Sequence, residues 1–285
     1  IIFFGAGYCS KFITQKLPDN IEIICTHNEK IKKEDYDSKK NITRMTLKEF
    51  ANNQKNIKDI THVLNSIPPS LDGDVILNKF SNFFHINVDT LKWVGFFSAT
   101  NVYGNHDGKW VDENSKLLPS SQRGKQRLKA EKQYLLVEKT KNIPVHIFRL
   151  PGIYGPKRSI FERISSGNLL RIVKKNHYFS RIHVEDIADV VIKSFKSPTP
   201  GEVFNVTDDF PCESEKVVDF ACNLLGTNRP ESCNYTDNRL GEMTKSFYSD
   251  NKRVSNKKIK KILNWTPKYS NYKLGLLSIF KNLNK

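Results

Sequence analysis

Two arginines stand four residues apart in the segment SSQRGKQRLKAE, at Arg123 and Arg127. On a helix, that spacing puts both on one face. A guanidinium has donors but no acceptor and stays protonated in proteins. The pair can hold an anion but cannot take up a proton. Two readings stay open: surface pairing with carboxylates, or an anion clamp lining a cleft. Near the start, Gly5-Ala6-Gly7-Tyr8-Cys9-Ser10 joins an apolar run to a helical stretch. The first Gly permits a tight turn and the second lets backbone approach a pyrophosphate, with the helix N-terminus supplying N–H donors. The third position is Ser10, small enough for close helix–strand packing. The alternative is a tight turn that binds nothing. About twenty residues on, where an acidic residue would hold the adenosine ribose of NAD, the chain reads Cys25-Thr26-His27-Asn28. No carboxylate there repels a 2′-phosphate, and His27 and Lys30 can accept one. The expected cofactor is NADP or NAD, leaning to NADP.

These groups need a frame. Ile1–Phe4, Ile21–Cys25, His62–Leu64, Trp93–Phe97 and Val145–Leu150 are short, β-branched or aromatic runs that read as buried strands. Helices are expected over Tyr8–Lys16, Asp74–Phe84 and Ser121–Lys139, with a short strand near Asn41–Arg44. Strands separated by helices imply an α/β fold, a Rossmann-type doubly wound parallel sheet flanked by helices. Residues 1–150 read as this domain. Residues 151–285 read mainly as a small α+β substrate-binding subdomain, some segments returning to the sheet. There, strands are expected near His177–Phe179 and Val203–Val206, and helices over Val184–Phe195, Ser214–Leu225 and Asn256–Leu263.

The 285 residues are 38% hydrophobic and 27% charged, enough for a real core. No apolar run approaches the length of a membrane span, and the opening IIFFGAG reads as a strand rather than a signal peptide. Five cysteines without close Cys/His spacing imply reduced thiols, a cytoplasmic setting and no metal site. The formal charge of +16 raises the question of nucleic acid. No nucleic-acid-binding motif accompanies it, and the Lys/Asn/Ile richness is spread along the whole chain, so compositional bias is the better reading.

Several segments resemble the extended or atypical short-chain dehydrogenase/reductases of the NAD-dependent epimerase/dehydratase type: GAGYCS, THVLNSIPPSLDGD, WVGFFSATNVYGNHDGKWVDE, FRLPGIYGPKRS, SRIHVEDIADV, FNVTDDFP and NKRVSNKKIKKILNWTPKY. The resemblance covers nearly the whole chain. It implies that Asn65, Ser66 and Ile67 line the adenosine and pyrophosphate, and that Pro151, Gly152 and Ile153 flank the nicotinamide. It puts Arg123 and Arg127 in the slots of that family's catalytic Tyr and Lys, and Ala99 in the slot of its Ser or Thr. Ser98 and Thr100 flank Ala99. Thr100 and Asn101 stand where dehydratases carry their acidic pair, which disfavours dehydration by that route.

Other groups expected near the C-terminal sheet edge are Tyr103, His106, Glu113, Tyr154 and His183. Tyr103 joins the two arginines as a candidate catalytic residue. Tyr154, Arg181 and His183 are the candidate substrate residues. Arg181 either engages an anion bidentately or pairs with Glu185. The implied function is an NAD(P)-binding oxidoreductase acting by an atypical mechanism on a small polar or sugar-derived substrate, an anionic one included. The alternative is a non-catalytic NAD(P)-binding sensor or partner-binding module. No membrane partner is expected, and the chain reads as a monomer or homodimer.

Overall fold

A computed structural model describes residues 1–28, 41–167 and 169–283. The elements begin with β1 (Ile2–Phe4), α1 (Tyr8–Lys16), β2 (Ile23–His27), β3 (Ile42–Thr46), α2 (Leu47–Asn53), β4 (His62–Asn65), α3 (Val75–Lys79), α4 (Ser81–Ile86) and β5 (Trp93–Ala99). A 3-10 turn (Thr100–Tyr103) leads to β6 (Trp110–Val111), α5 (Gln122–Lys141), β7 (Val145–Leu150), β8 (Gly152–Tyr154), α6 (Ile160–Ser165), β9 (Arg171–Val173), β10 (Arg181–His183) and α7 (Val184–Lys196). The chain continues with β11 (Glu202–Asn205), α8 (Ser214–Leu225), β12 (Ser232–Asn234), α9 (Glu242–Phe247), β13 (Arg253–Val254), α10 (Lys257–Ile262) and α11 (Tyr272–Leu283).

Two compact units result. Ile1–Ala99, Lys125–Arg149 and Ile187–Phe204 form the first; Thr100–Gly124, Leu150–Asp186 and Asn205–Lys285 form the second. A seven-stranded parallel sheet runs in the order β11-β7-β5-β4-β1-β2-β3. The chain winds outward from β1 through β2 to β3, then returns to β4 beside β1 and winds the other way. The reversal point therefore lies between β1 and β4, the place where open α/β sheets bind ligands. This is the expected Rossmann-type α/β architecture. Lys30 lies outside the described residues.

The core of the first unit is aromatic. Phe50 meets Phe4, Phe80 and Phe83 edge-on at 4.9, 5.1 and 5.3 Å between centroids. The single helix expected over Asp74–Phe84 is instead two short ones. Phe80 leaves helical geometry (φ −123°, ψ 35°) between α3 and α4, and Phe80, Phe83 and Phe84 are all buried. The break lets three rings enter the core from so short a stretch. The second unit contains three two-stranded parallel pairs, β10-β8, β12-β9 and β13-β6. The strand expected near His177–Phe179 is not there. Phe179 makes only an isolated antiparallel bridge to Cys212, and the Tyr178 N–H donates to Asn251 Oδ1 (2.9 Å) rather than to a ladder. Pairing starts two residues later, at Arg181. All five cysteines are buried free thiols. Among the described residues, no helix is long and apolar enough to cross a membrane.

In the first unit, His146 on β7 has no solvent exposure. Its ring stacks on Trp93 at 5.4 Å, and Nε2 accepts from the Thr199 N–H (2.8 Å). Burial lowers its pKa from 6.5 to about 4. The folded state thus keeps His146 neutral where the unfolded chain would protonate it. The stability this represents is complete above pH 6.5 and is lost as pH falls from 6.5 to about 4, with a slope of up to about 1.4 kcal/mol per pH unit. Denaturant titrations across that window should show His146→Gln losing stability with falling pH less steeply than the native chain, by up to that slope. Equal slopes would contradict a neutral buried imidazole.

Candidate functional site

In the first unit, the turn after β1 is held from three directions. Gly5 has φ +76°, and a Cβ there would stand 2.8 Å from Ile67 Cγ1 and 3.1 Å from Ser66 Oγ. From β2, Thr26 accepts the Gly5 N–H at Oγ1 (3.2 Å) and the Ala6 N–H at its carbonyl (2.8 Å). From the end of β4, Ser66 Oγ donates to the Gly5 carbonyl (2.5 Å) and the Phe4 carbonyl (3.2 Å). Gly7 then caps α1 with extended backbone and, as a glycine, contributes no side-chain cap bond. A Cβ on Gly7 would meet nothing closer than the Gly5 carbonyl at 3.8 Å. Gly7 is exposed, and the positive end of the α1 dipole lies behind it.

Tyr8 and Cys9 form the first turn of α1, Tyr8 half-buried and Cys9 buried. Ser10 is 2% exposed, and its Oγ has no hydrogen-bond partner, so the third fingerprint position is a packing position. His27 is half-buried at the end of β2, with Nδ1 3.0 Å from the Asn28 carbonyl. The Asn65 carboxamide is turned inward. Its Nδ2 donates to Asp74 Oδ2 (2.7 Å) and Tyr134 Oη (3.0 Å), and Oδ1 accepts the Ile67 N–H (2.9 Å). Asn65 therefore shapes the turn that carries Ser66 and Ile67, and Asp74 in turn caps α3. Lys11 and Arg44 line a small hollow beside Ser10 and Cys25. Sequence reasoning missed Arg44, which lies on β3 in register with Cys25; no spacing rule marks a cation in that polar stretch.

Also in the first unit, Arg127 Nη1 donates to the Phe97 carbonyl (2.8 Å), two residues before Ala99 at the end of β5. One helical turn on, Glu131 accepts from Ser98 Oγ (2.5 Å) and is bound by Arg149 through Nε (3.1 Å) and Nη2 (2.7 Å). The Arg149 and Glu131 side chains are 4% and 2% exposed. Breaking such a buried pair by removing one partner costs about 3–5 kcal/mol. It anchors α5 on the sheet, and the flanking hydroxyl of Ser98 belongs to that anchor.

In the second unit, Arg123 is exposed, its Nη1 3.8 Å from Met243 Sδ on α9. Among the described residues, no carboxylate pairs with Arg123. Tyr103 has no exposed surface, and its hydroxyl donates to Asn205 Oδ1 (2.8 Å). Glu113 accepts the Asn205 N–H (2.7 Å), and His106 Nε2 lies near the carbonyls of Tyr103 and Lys116. These three brace a loop.

The same unit brings Tyr154, Arg181 and His183 together. β8 and β10 pair in parallel with Gly152 opposite Arg181 and Tyr154 opposite His183. Gly152 is exposed, and Pro151 and Ile153 are half-buried. His183 is 1% exposed, and its ring lies 4.1 Å from Tyr269 and 5.2 Å from Tyr154. Burial lowers its pKa to about 4. Nδ1 accepts the Glu185 N–H (3.3 Å), and Nε2 has no partner. The Tyr154 hydroxyl is likewise enclosed and unpartnered, and burial followed by the charges of Asp208 and Asp186 raises its pKa.

Arg181 Nη1 donates to the carbonyls of Phe179 (2.9 Å) and Cys212 (3.2 Å) and approaches Cys212 Sγ (3.2 Å). The alternative Arg181–Glu185 pairing is not formed: Glu185 takes Lys268 Nζ (2.8 Å) and the Tyr269 hydroxyl (3.2 Å). Sequence reasoning missed Asp208. The pair Asp208-Asp209 was visible in FNVTDDFP, but nothing in it says which carboxyl is enclosed. Asp208 is 2% exposed, and burial pushes its pKa up to about 8.

No family model matches the chain, and no curated protein matches it. Solved structures do. The fold matches a dTDP-glucose 4,6-dehydratase from Bacillus anthracis in complex with NAD, at TM-score 0.77 and 18% identity over 99% of this chain and 95% of that one. It also matches a UDP-N-acetylglucosamine 4-epimerase from Methanobrevibacter ruminantium, at TM-score 0.75 and 17% identity over 99% of this chain and 97% of that one. At these identities the likeness is one of fold. A functionally unknown conserved protein from Silicibacter pomeroyi matches at TM-score 0.90 with 37% identity, over 99% of this chain and 98% of that one. That identity, sustained over nearly the full length of both chains, means that this chain belongs to the same family as the Silicibacter pomeroyi protein.

Proposed function

We propose that the chain binds a nicotinamide dinucleotide on the turn Gly5–Ser10 and acts, by an atypical mechanism, as an oxidoreductase on a small polar or sugar-derived substrate. The observation that carries the reading is the positive-φ Gly5 turn leading to an exposed Gly7 at the α1 N-terminus, beside the reversal point of the sheet. Backbone of Gly5, Gly7, Tyr8, Cys9 and Ser10 would receive the pyrophosphate. We assign Thr26 and His27 to the adenosine ribose, with Ser66, Ile67 and the backbone of Asn65 bordering it. The Bacillus anthracis neighbour was crystallised with NAD, which supports a dinucleotide in general. The lean to NADP rests on the absence of a carboxylate from Thr26-His27-Asn28. In the second unit Tyr154, Arg181 and His183 are the substrate residues, with Arg181 suited to an anion.

When bound, the nicotinamide supplies or accepts a hydride. The chain's own groups hold and polarise. Arg127, fixed on the Phe97 carbonyl, stabilises negative charge at the end of β5, and Arg123 presents an exposed guanidinium. Neither moves a proton. Replacing a tyrosine-type acid/base in this way removes about 10²–10⁴-fold in rate, so turnover by such a site is slow. A second reading, a sensor that holds NAD(P) without chemistry, is favoured by Tyr103, whose enclosed hydroxyl is already committed to Asn205.

Gly7→Asp tests the cofactor site. The position has ordinary φ and room for a side chain, so the fold should survive while a carboxylate opposes the pyrophosphate. Calorimetric titration should show NADPH binding at least as tightly as NADH to the native chain, and about tenfold or more weaker binding to Gly7→Asp, or about 1.4 kcal/mol. Unchanged affinity in the variant would remove the Gly5–Ser10 turn as the site, and a strong preference for NADH would overturn NADP. Steady-state NADP reduction with a panel of alcohols and sugars separates the two functional readings. Slow native turnover supports the oxidoreductase. Turnover that appears only in Arg123→Tyr combined with Arg127→Lys supports the sensor.

A further inference from the structure

Asp208 and Arg181 are fastened to each other through the backbone yet make no ion pair. The Asp208 N–H donates to the Arg181 carbonyl (2.7 Å). The Asp208 carboxyl uses Oδ1 to accept the Phe210 N–H (3.1 Å), while Oδ2 is enclosed and has no partner. All three hydrogen bonds of the guanidinium are made by Nη1, and its Cζ lies over the Phe179 ring, 5.9 Å from the centroid. Among the described residues, Nε and Nη2 have no acceptor. A buried carboxylate beside a guanidinium with free donors would normally pair with it. Unpaired, the carboxyl has no counter-charge in contact to oppose the neutral state that burial favours.

The surroundings favour that neutral state. Asp186, at the start of α7, accepts the N–H groups of Lys268 and Tyr269 (2.6 and 3.1 Å) and remains a nearby negative charge. Asp209 adjoins on the same loop, where it takes Asn256 Nδ2 (2.8 Å) and Lys260 Nζ (2.6 Å). Lys260 thus reaches Asp209 rather than Asp208. From β8 comes the Tyr154 hydroxyl and from the same loop as Asp208 the Cys212 thiol, both held neutral by burial. Arg181 on β10 is the cation that favours ionisation of Asp208, and desolvation with two acidic neighbours opposes it.

We propose that Asp208 determines whether Arg181 can take an anionic ligand: as an acid it leaves Nε and Nη2 to the ligand, and as a carboxylate it captures them in an internal ion pair. The anion-binding half of this rests on the reading of Arg181 as a substrate residue; the capture half does not. Asp208 is then a specificity-determining residue, selecting for anions only while protonated. Ionisation sets in near pH 8. The His183 ring titrates near pH 4, well below that range.

The test is a side-chain NMR titration of the full chain from pH 6 to 10, with the Arg181 Nε–H signal assigned by its loss in Arg181→Lys. Sulfate serves as the probe because its charge is constant over this range. The native Arg181 signal should shift with a midpoint near 8. Asp208→Asn, which mimics the neutral acid, should abolish that shift, and Asp209→Asn should preserve it. Sulfate should perturb the signal at pH 6.5 and bind about tenfold or more weaker at pH 9.5, whereas Asp208→Asn should hold sulfate equally at both. An Arg181 signal that does not titrate, or titrates unchanged in Asp208→Asn, overturns the capture. An intact titration with no response to sulfate at any pH overturns the anion-binding half alone. If Asp208→Asn does not fold, the Asp208 carboxyl midpoint should rise in Arg181→Gln, and an unchanged midpoint would overturn the proposal.

Discussion

The sheet edge of the first unit depends on one backbone conformation. Gly5 turns the chain out of β1 at φ +76°, with Ile67 Cγ1 already in the space a Cβ would need. An L-residue there would be strained by its dihedral and by its neighbour together. Because Thr26 and Ser66 bind that turn from β2 and β4, the ends of three adjacent strands are fixed by it. The direction of α1 follows, and with it the place of its N-terminus behind Gly7. The polar atoms that make the turn are satisfied internally, so the turn is already formed before any ligand arrives.

A second anchor sets the other half of that edge. Arg127 and Glu131 lie one helical turn apart on α5. The first is tied to the Phe97 carbonyl, and the second to Ser98 and to the buried Arg149. A helix pinned at two points against β5 and β7 holds Arg127 at a defined place near Ala99. In the second unit the chemistry is different in kind. His183, Tyr154 and Asp208 are enclosed, neutral and each left with an unpartnered polar atom. Buried polar atoms without partners are costly, and two of them, on Tyr154 and Asp208, feel the charge of Arg181, which has no ion pair among the described residues.

Much of this was legible in the residues. Short β-branched and aromatic runs marked the central strands, and Gly5-Ala6-Gly7 marked the turn, because both signals are local. The bounds of α1, β7 and α8 came out as expected for the same reason. The break at Phe80 was not legible, since it answers to where Phe4 and Phe50 wait in the folded core rather than to any helix-breaking residue. The missing strand at His177–Phe179 turned on Asn251, more than seventy residues away, taking a backbone N–H. Asn65 looked like a ligand contact and proved to have its side chain bonded to Asp74 and Tyr134. Asp208 carried no signal at all, because burial is a property of the fold and not of the dipeptide.

The proposed function requires a dinucleotide on the preformed Gly5–Ser10 turn with no tyrosine base acting on it. A crystal structure of the chain grown with saturating NADPH tests this most directly. Pyrophosphate density is expected against the backbone of Gly7, Tyr8, Cys9 and Ser10, with the Tyr103 hydroxyl still bonded to Asn205. Density for the pyrophosphate elsewhere, an empty turn at saturation, or a tyrosine hydroxyl within hydrogen-bond reach of the nicotinamide ribose would contradict it.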